Sequence, residues 1–493
     1  MLQTTTELGW QFTWGTVVWL IANLMAVATV PSVLYHRKGQ PLSSLAWLFA
    51  LIGLPVVGVF AWWTIGRLRM QRIKRRRVNA RNVMSRHISA LGARLPDVPL
   101  RSMGALATAP SLSDDELGQI FPVTRDNQVE LLVDAAEAYP VMITAIEAAR
   151  HHIHLQFYIW EADATGRHFR DLLVTKAKAG VEVRVLIDAV GGSAVNDSFM
   201  EPLKAAGAAI AFFLPARIFS WQNTINFRNH RKIIVIDGQT GFIGGLNIGD
   251  GYTRDWHDLA VRLDGPVVDQ LQEVFADDWF FANGENLADP AYFGGTTPQT
   301  PEALRDRARC HVARCRIMAS GPDTRQNATH DALFIGITGA KRRLWLTTPY
   351  FIPDTAIQVA LRTAAYKGVD VRLMLPHRSD VPFVRLAGRS YYGDLLAAGI
   401  RIFEYDGAIL HAKSVLIDDK LSVVGSANLD IRSLQLNFEA NCIINSQAIN
   451  ASLAALFEKD LVRSVEIRPE DLQNRRFGAE FLETVAHLLS PLL

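Results

Sequence analysis

The stretch NHRKIIVIDGQTGFIGGLNIGD at residues 229–250 returns in altered spelling as LHAKSVLIDDKLSVVGSANLD at residues 410–430. Counted from the histidine, the two agree without a slip. Histidine at 0 is His230 and His411, lysine at +2 is Lys232 and Lys413, and aspartate at +7 is Asp237 and Asp418. Glycine at +14 is Gly244 and Gly425, asparagine at +17 is Asn247 and Asn428, and a carboxylate at +28 is Asp258 and Glu439. The polar tip differs at +15, where Gly245 stands against Ser426. Residues two apart on a strand share a face, so each histidine and its lysine reach the same side. The runs IIVI and SVLI that follow are β-branched or apolar and read as strands buried on both faces. Aspartate at +7 suits the turn beyond, and a second strand returns to the glycine-bounded tip with its asparagine.

The duplication extends outward. A helix pattern leads to HIHLQFYIW at 152–160, and another to RLWLTTPYFI at 343–352. Helices ending at Gly180 and Gly368 precede VEVRVLID and VDVRLMLP. Then LKAAGAAIAFF at 203–213 matches LLAAGIRIFEY at 395–405. Each is a helix, a glycine stop and a β-rich run. Strand–helix alternation repeated over this length predicts an α/β fold in two copies, at 119–290 and 291–493.

Two apolar segments precede them. Gly9–Leu34 and Leu45–Ile65 carry no charged residue, and each has about the 20 residues that span roughly 30 Å of hydrocarbon. Trp10, Trp14, Trp47, Trp62 and Trp63 stand near their ends, as interfacial residues do. The first ten residues hold no Lys or Arg, which disfavours a cleaved signal peptide. Residues 1–66 therefore read as a membrane anchor of two transmembrane helices, and 67–118 as a basic juxtamembrane segment and linker. From Arg67 to Arg86 there are nine basic residues and no acidic one, so the net charge of +2 hides a net-negative remainder. That cluster favours a cytoplasmic side for the catalytic copies and attracts acidic lipid headgroups. A basic block beside apolar helices points to anionic lipid, and nucleic acid is not expected as a partner. Three cysteines, Cys310, Cys315 and Cys442, without metal-like spacing argue for a reducing compartment and against structural zinc.

Two histidines can divide covalent catalysis, one as nucleophile and the other as general acid, then base. Lysines Lys232 and Lys413, amides Asn247 and Asn428, and the tip positions Gly245 and Ser426 are expected to face a phosphoryl oxyanion. Asp258 and Glu439 suit the orientation of a ring nitrogen, one carboxylate within each copy. Asp237 and Asp418 belong to the same catalytic signature by position, but they are expected to stabilise the turn and neighbouring backbone rather than touch substrate. No metal and no cofactor are expected, because a lysine at +2 would repel a cation. His151, His152 and His154 are expected at the surface or a sheet edge, and His257 in local structure.

The pattern His-x-Lys-x4-Asp-x6-Gly-x-x-Asn, present twice, resembles the signature of the phospholipase D superfamily. Longer phrases resemble bacterial cardiolipin synthases with two N-terminal membrane segments: EVRVLIDAVG, NFRNHRKI, GGLNIGDGY, TTPYFIPD, LHAKSVLIDD, NLDIRS and the terminal LLSPLL. The resemblance covers nearly the whole chain. It implies two phospholipase D-like α-β-α sandwich domains forming a pseudo-twofold pair, at a bacterial plasma (inner) membrane. It also implies transfer of a phosphatidyl group from one phosphatidylglycerol to another through a phosphohistidine, with glycerol released. His230 is then the nucleophile and His411 the acid/base, a choice that the symmetry of the two copies leaves open. Both motifs lie in one chain, so a site can form without a second subunit. Two further stretches suggest lipid contact. These are the apolar run AFFLPARIFSW at 211–221, equally readable as buried strand and loop, and the amphipathic pattern from Phe477 to Leu493, for which packing against the catalytic core is the favoured reading.

Overall fold

A computed structural model of the chain describes residues 14–38, 41–66, 119–214, 227–294, 309–323, 327–473, 475 and 477–488. The basic block from Arg67, the linker, most of the run 211–221 and residues 489–493 lie outside these. The N-terminal segment and the α/β body are separate compact units.

In the N-terminal segment the first apolar run forms α1 (Trp14–His36), and within it Gly15–His36 is long and apolar enough to cross a membrane. The second run departs from the expected single span. It begins as α2 (Pro41–Gly53), breaks at Leu54, and resumes as α3 (Pro55–Ala61) with a π-turn over Trp62–Gly66. Pro55 has no N–H to return to the preceding turn, and Leu54 leaves the helical region at φ −137° and ψ 68°. The helices pack through Ala26, Val33, Leu51, Val59 and Trp62. Trp62 Nε1 donates to Ser32 Oγ and Trp63 Nε1 to Thr29 Oγ1, both at 3.2 Å.

The body carries the duplication as matching strands. The first copy contributes β1 (Thr124–Val133), β2 (His152–Phe157), β3 (Glu182–Asp188), β4 (Ala209–Phe213), β5 (Ile233–Ile236), β6 (Thr240–Gly244) and β7 (Leu259–Asp264). The second contributes β8 (His311–Ser320), β9 (Arg343–Thr347), β10 (Asp370–Pro376), β11 (Arg401–Tyr405), β12 (Ser414–Ile417), β13 (Leu421–Gly425) and β14 (Glu439–Asn445). A last strand, β15 (Ser464–Ile467), pairs antiparallel with β11. All lie in one sheet, ordered β15-β11-β10-β9-β12-β13-β14-β8-β1-β7-β6-β5-β2-β3-β4. Read outward from the middle, both copies have the same order. The seam is the antiparallel pair β1 and β8, with Val129 opposite His311 and Asn127 opposite Ala313, then a one-residue register shift that sets Thr124 opposite Cys315. An antiparallel pair has local twofold symmetry, so the seam lies on the pseudo-dyad.

Helices cover both faces, which is why the central strands read as unbroken apolar runs. On β5, Ile233 and Val235 join the core that spans the seam, with the helices Val267–Asn283 and Gln447–Leu461. Ile234 and Ile236 face the other core, with α4 (Asp134–Ala148) and α5 (Ala164–Lys178). Strand β2 is buried at every position for the same reason. This corrects the surface placement expected for two histidines: His152 and His154 are buried, and His154 stacks on Phe275 with ring centroids 4.7 Å apart. Only His151 is exposed. The described part of the C-terminal pattern is a helix, Phe477–Leu488. Its Glu483 and Ala486 are buried, and Glu483 pairs with Arg389 and Arg475, while Phe481, Leu482 and Leu488 stay exposed.

The +7 aspartates lie at the far ends of β5 and β12, roughly 20 Å of extended chain from the histidines. Both adopt the left-handed turn conformation, Asp237 at φ 54° and Asp418 at φ 51°. The Asp237 carboxylate accepts the amides of Arg150, His151 and His152 at 2.8–2.9 Å. Asp418 does the same for Lys341, Arg342 and Arg343. They clamp the entry of β2 and β9, and the catalytic position their place in the motif suggested is corrected: three backbone donors already claim each carboxylate. Asp237→Ala should therefore lower the unfolding midpoint of the detergent-solubilised protein, a loss of about 2 kcal/mol. Turnover per folded molecule should be little changed; lost turnover at wild-type stability would contradict this placement.

Candidate active site

The residues just before β5 and β12 are zipped to the opposite copy. His230 N donates to Phe438 O at 2.9 Å, and Phe438 N donates to Arg228 O at 2.9 Å. In mirror fashion Ile409 and Leu410 pair in parallel with Trp256 and His257, and His411 N donates to His257 O at 2.7 Å. Each zipper ends one residue short of a +28 carboxylate. The outcome is an exchange that the self-contained registers of the sequence did not anticipate. His230 Nδ1 meets Glu439, 3.1 Å from both carboxylate oxygens, and His411 Nδ1 meets Asp258 Oδ2 at 2.6 Å. The carboxylates orient histidines as expected, but each belongs to the other copy. The reason is topological: β7 and β14 flank the seam strands, so Asp258, just before β7, and Glu439, which opens β14, reach across the dyad.

A carboxylate only accepts, so each Nδ1 carries the hydrogen and each Nε2 keeps its lone pair for chemistry. All six groups of this cluster (two histidines, two lysines, two carboxylates) are buried. Burial pushes the His411 pKa down to about 4, helped by the Lys413 charge and resisted by Asp258. Burial also lowers His230, against the pull of Glu439. Burial brings Lys413 down to about 8, with Asp258 and Glu439 opposing. Lys232 is lowered further, by burial and then by Lys413. Despite burial, Asp258 is held below the usual carboxylate range by Lys413 and His411. Lysines and carboxylates of both copies thus act on one another across a single site. Lys232 Nζ donates to His230 O at 2.8 Å, and Lys413 Nζ to His411 O.

The tip positions serve the carboxylates. Ser426 Oγ donates to Glu439 Oε2, and Ala440 N donates to Ser426 Oγ at 3.0 Å. At the equivalent position a Cβ on Gly245 would come within 2.1 Å of Asp258 Oδ1. Glycine beside aspartate and serine beside glutamate are therefore matched pairs. The backbone amides of Gly245 and Ser426 are spent on Leu259 O and Ala440 O, so these residues brace the orienting groups instead of meeting phosphate. Asn247 is occupied too: Oδ1 accepts Ile159 N at 3.0 Å and Nδ2 donates to Tyr252 OH at 2.8 Å. Asn428 lies at the matching tip, with its Oδ1 buried and without a partner among the described residues.

Sequence reasoning missed the surroundings. Tyr158 stands 4.9 Å from the His230 ring, and Trp256 stands 4.7 Å from that of His411, centroid to centroid. Arg231, the residue between motif histidine and lysine, is buried against Asp278 at 2.8 Å and donates to Glu439 O and Ser320 O. It ties the first motif to the second copy, and nothing in the spacing announced it, because Ala412 stands there in the second. His257 is the other silent member. Its nitrogens lie 2.8 Å from Asp134 and 3.0 Å from Asp460, one carboxylate from each copy. Burial opposes its charge, but the two carboxylates outweigh burial and raise its pKa to about 10. Aligning the copies could have found the tyrosines, since Tyr158 and Tyr350 lie just beyond the ends of matching strands.

The chain was compared with known proteins. The profile of the family described as "Cardiolipin synthase, PLD-like domain" matches residues 142–279 and 333–461, once per copy. A cardiolipin synthase of Alkalihalophilus pseudofirmus is 34% identical over 489 residues, covering 96% of this chain and 95% of that protein. One from Geobacillus kaustophilus is 36% identical over 493 residues, covering 97% and 95%. Among solved structures, the phosphatidylserine synthase of Haemophilus influenzae aligns with a TM-score of 0.54 at 15% identity, covering 74% of this chain and 93% of that one. That likeness speaks for the fold alone.

His257 gains its proton on folding, so its contribution to stability is complete below the unfolded pKa of about 6.5. It is lost as pH rises toward about 10. Stability should therefore fall between pH 7 and 10 with a slope of up to about 1.4 kcal/mol per unit. His257→Gln should flatten that slope, as followed by thermal unfolding; an unchanged slope would place the titration elsewhere.

Proposed function

The chain belongs to the cardiolipin synthase family of phospholipase D-like phosphatidyltransferases, and on that footing we propose that it joins two phosphatidylglycerol molecules through a phosphohistidine. The observation that carries the mechanism is the reciprocal pair of histidine–carboxylate contacts. His230 Nε2 attacks phosphorus; the P–N bond forms and the P–O bond to the headgroup glycerol breaks. His411 enters this step doubly protonated, the bound phosphate anion and Asp258 favouring its charged form, and gives its Nε2 proton to the departing alkoxide. The hydroxyl of a second phosphatidylglycerol then attacks, giving its proton back to His411, and the P–N bond breaks to leave cardiolipin and free His230. The phosphoryl anion draws Lys232 and Lys413 back toward their charged forms, so the developing charge meets preorganised cations.

The N-terminal helices supply the anchor in this reading. Their outer surface is apolar, with Trp19, Val27, Phe49, Ile52 and Phe60 60–75% exposed, as lipid contact requires. The broken second run still covers Pro41–Gly66, long enough to return across the bilayer. With the basic block inside, the enzyme is a multi-pass protein of the bacterial plasma membrane, its catalytic body is cytoplasmic, and anionic lipid meets that block.

The test uses purified protein in detergent with phosphatidylglycerol labelled in headgroup and phosphate. Cardiolipin and glycerol in equal amounts are expected, and phosphatidic acid as the sole product would sink the transferase reading in favour of a lipid hydrolase. His230→Ala should abolish the covalent lipid adduct and slow turnover by about 10³-fold or more, while His411→Ala should still trap adduct. Adduct that survives only in the His230 variant would reverse the assignment. Activity should also survive EDTA; loss restored by a divalent ion would refute a metal-free mechanism.

A further inference from the structure

The two half-sites are built alike but lined differently. Tyr158 and Tyr350 lie just beyond the ends of the matching strands β2 and β9, beside the two motif tips. The Tyr158 hydroxyl lies in the field of Asp188, Arg228 and Arg432 and is hydrogen-bonded to Arg228; Asp188 is itself filled by the amides of Val190, Gly191 and Asn229. The Tyr350 hydroxyl donates instead to Asp380 Oδ2 at 2.7 Å, beside Tyr252 and Asp430. Asp430 has no counterpart in the first copy, where Gly249 follows Asn247 and Ile248. The side of His230 thus presents guanidinium groups, and the side of His411 presents acceptors.

Asp430 is engaged by Ser433 N and by the Asn428 side chain, whereas two other acceptors have room for further donors. Asp380 is exposed and takes one strong bond, from Tyr350. Asn428, 3% exposed, has its Oδ1 buried without a partner among the described residues, whereas Oδ1 of its counterpart Asn247 is satisfied by Ile159 N. Unpaired acceptors call for O–H or N–H groups from a ligand. An ammonium headgroup would sit beside Lys413, whose charge Asp380 and Asp430 already attract. A neutral polyol offers the donors without that repulsion.

We propose that Tyr350, Asp380 and Asn428 form a subsite for the vicinal hydroxyls of a glycerol headgroup, on the His411 side of the reaction centre. The inference rests on the cardiolipin synthase reading and deepens it. One subsite suffices for both steps, because the leaving alcohol and the attacking alcohol are the same chemical group. Glycerol departs from it after taking a proton from His411, and the next glycerol headgroup enters it and returns that proton. The cationic half, with Arg228 and Arg432, is left for phosphate.

The experiment offers the full-length enzyme in detergent a phosphatidylglycerol donor with labelled glycerol, propan-1-ol and ethanolamine as competing acceptors. The wild type should incorporate glycerol in preference to propan-1-ol. Asp380→Asn and Tyr350→Phe should each reduce that preference about tenfold or more; the donor's own glycerol uses the same subsite in the first step, so total turnover falls with either alcohol, and the ratio of the two products is the readout. An unchanged ratio in both variants, or equal losses with both alcohols, would overturn the subsite while leaving the transferase intact. Ethanolamine preferred over glycerol by the wild type would overturn the polyol assignment. A wild type that puts no alcohol into lipid and yields only phosphatidic acid would overturn the transferase reading and the subsite with it.

Discussion

A histidine buried among lysines needs a carboxylate to fix its tautomer, and here each carboxylate comes from the other copy. Everything near the centre follows from that exchange. The strand zippers that bring Phe438 beside His230 and His257 beside His411 place the acids. The seam between β1 and β8 makes two sheets one, so that the zippers meet in register. Neither half contains an oriented histidine by itself, and the duplication is therefore a functional requirement as well as a structural economy.

The groups that hold this arrangement lie outside the motifs. Arg231 reaches from the first copy to Asp278 and to carbonyls of the second. His257 draws Asp134 and Asp460 together behind Asp258. A buried ion pair or triad is weak as a source of net stability, because desolvation cancels much of the attraction. Its worth here is positional. Each network ties the backbone next to one catalytic group to an element of the opposite copy, which locks the geometry across the dyad.

Within the symmetry, small differences are coupled. Glutamate at +28 has its carboxylate held by Ser426, whereas aspartate there needs the space of Gly245. Around them, arginines flank Tyr158 and an aspartate flanks Tyr350. A reaction that handles a phosphate anion on one side and alcohols on the other has reason to keep its halves unlike.

The repeated histidine-to-carboxylate spacing determined the duplication, the strand at each motif and the identity of the buried ionic cluster. It did so because strand periodicity is local: side chains two apart share a face wherever the strand lies. The apolar N-terminal runs were equally legible, although Pro55 broke the second helix through a missing donor. Local rules could not say which carboxylate serves which histidine. Nor could they show that Asp237 and Asp418 clamp backbone amides far from the site, that Ser426 braces Glu439, or that His152 and His154 are buried. Those outcomes depend on which strands flank the seam and on helices covering both faces. Contacts between residues about 150 and 209 positions apart are set by the sheet's order in space, and spacing along the chain does not encode that order.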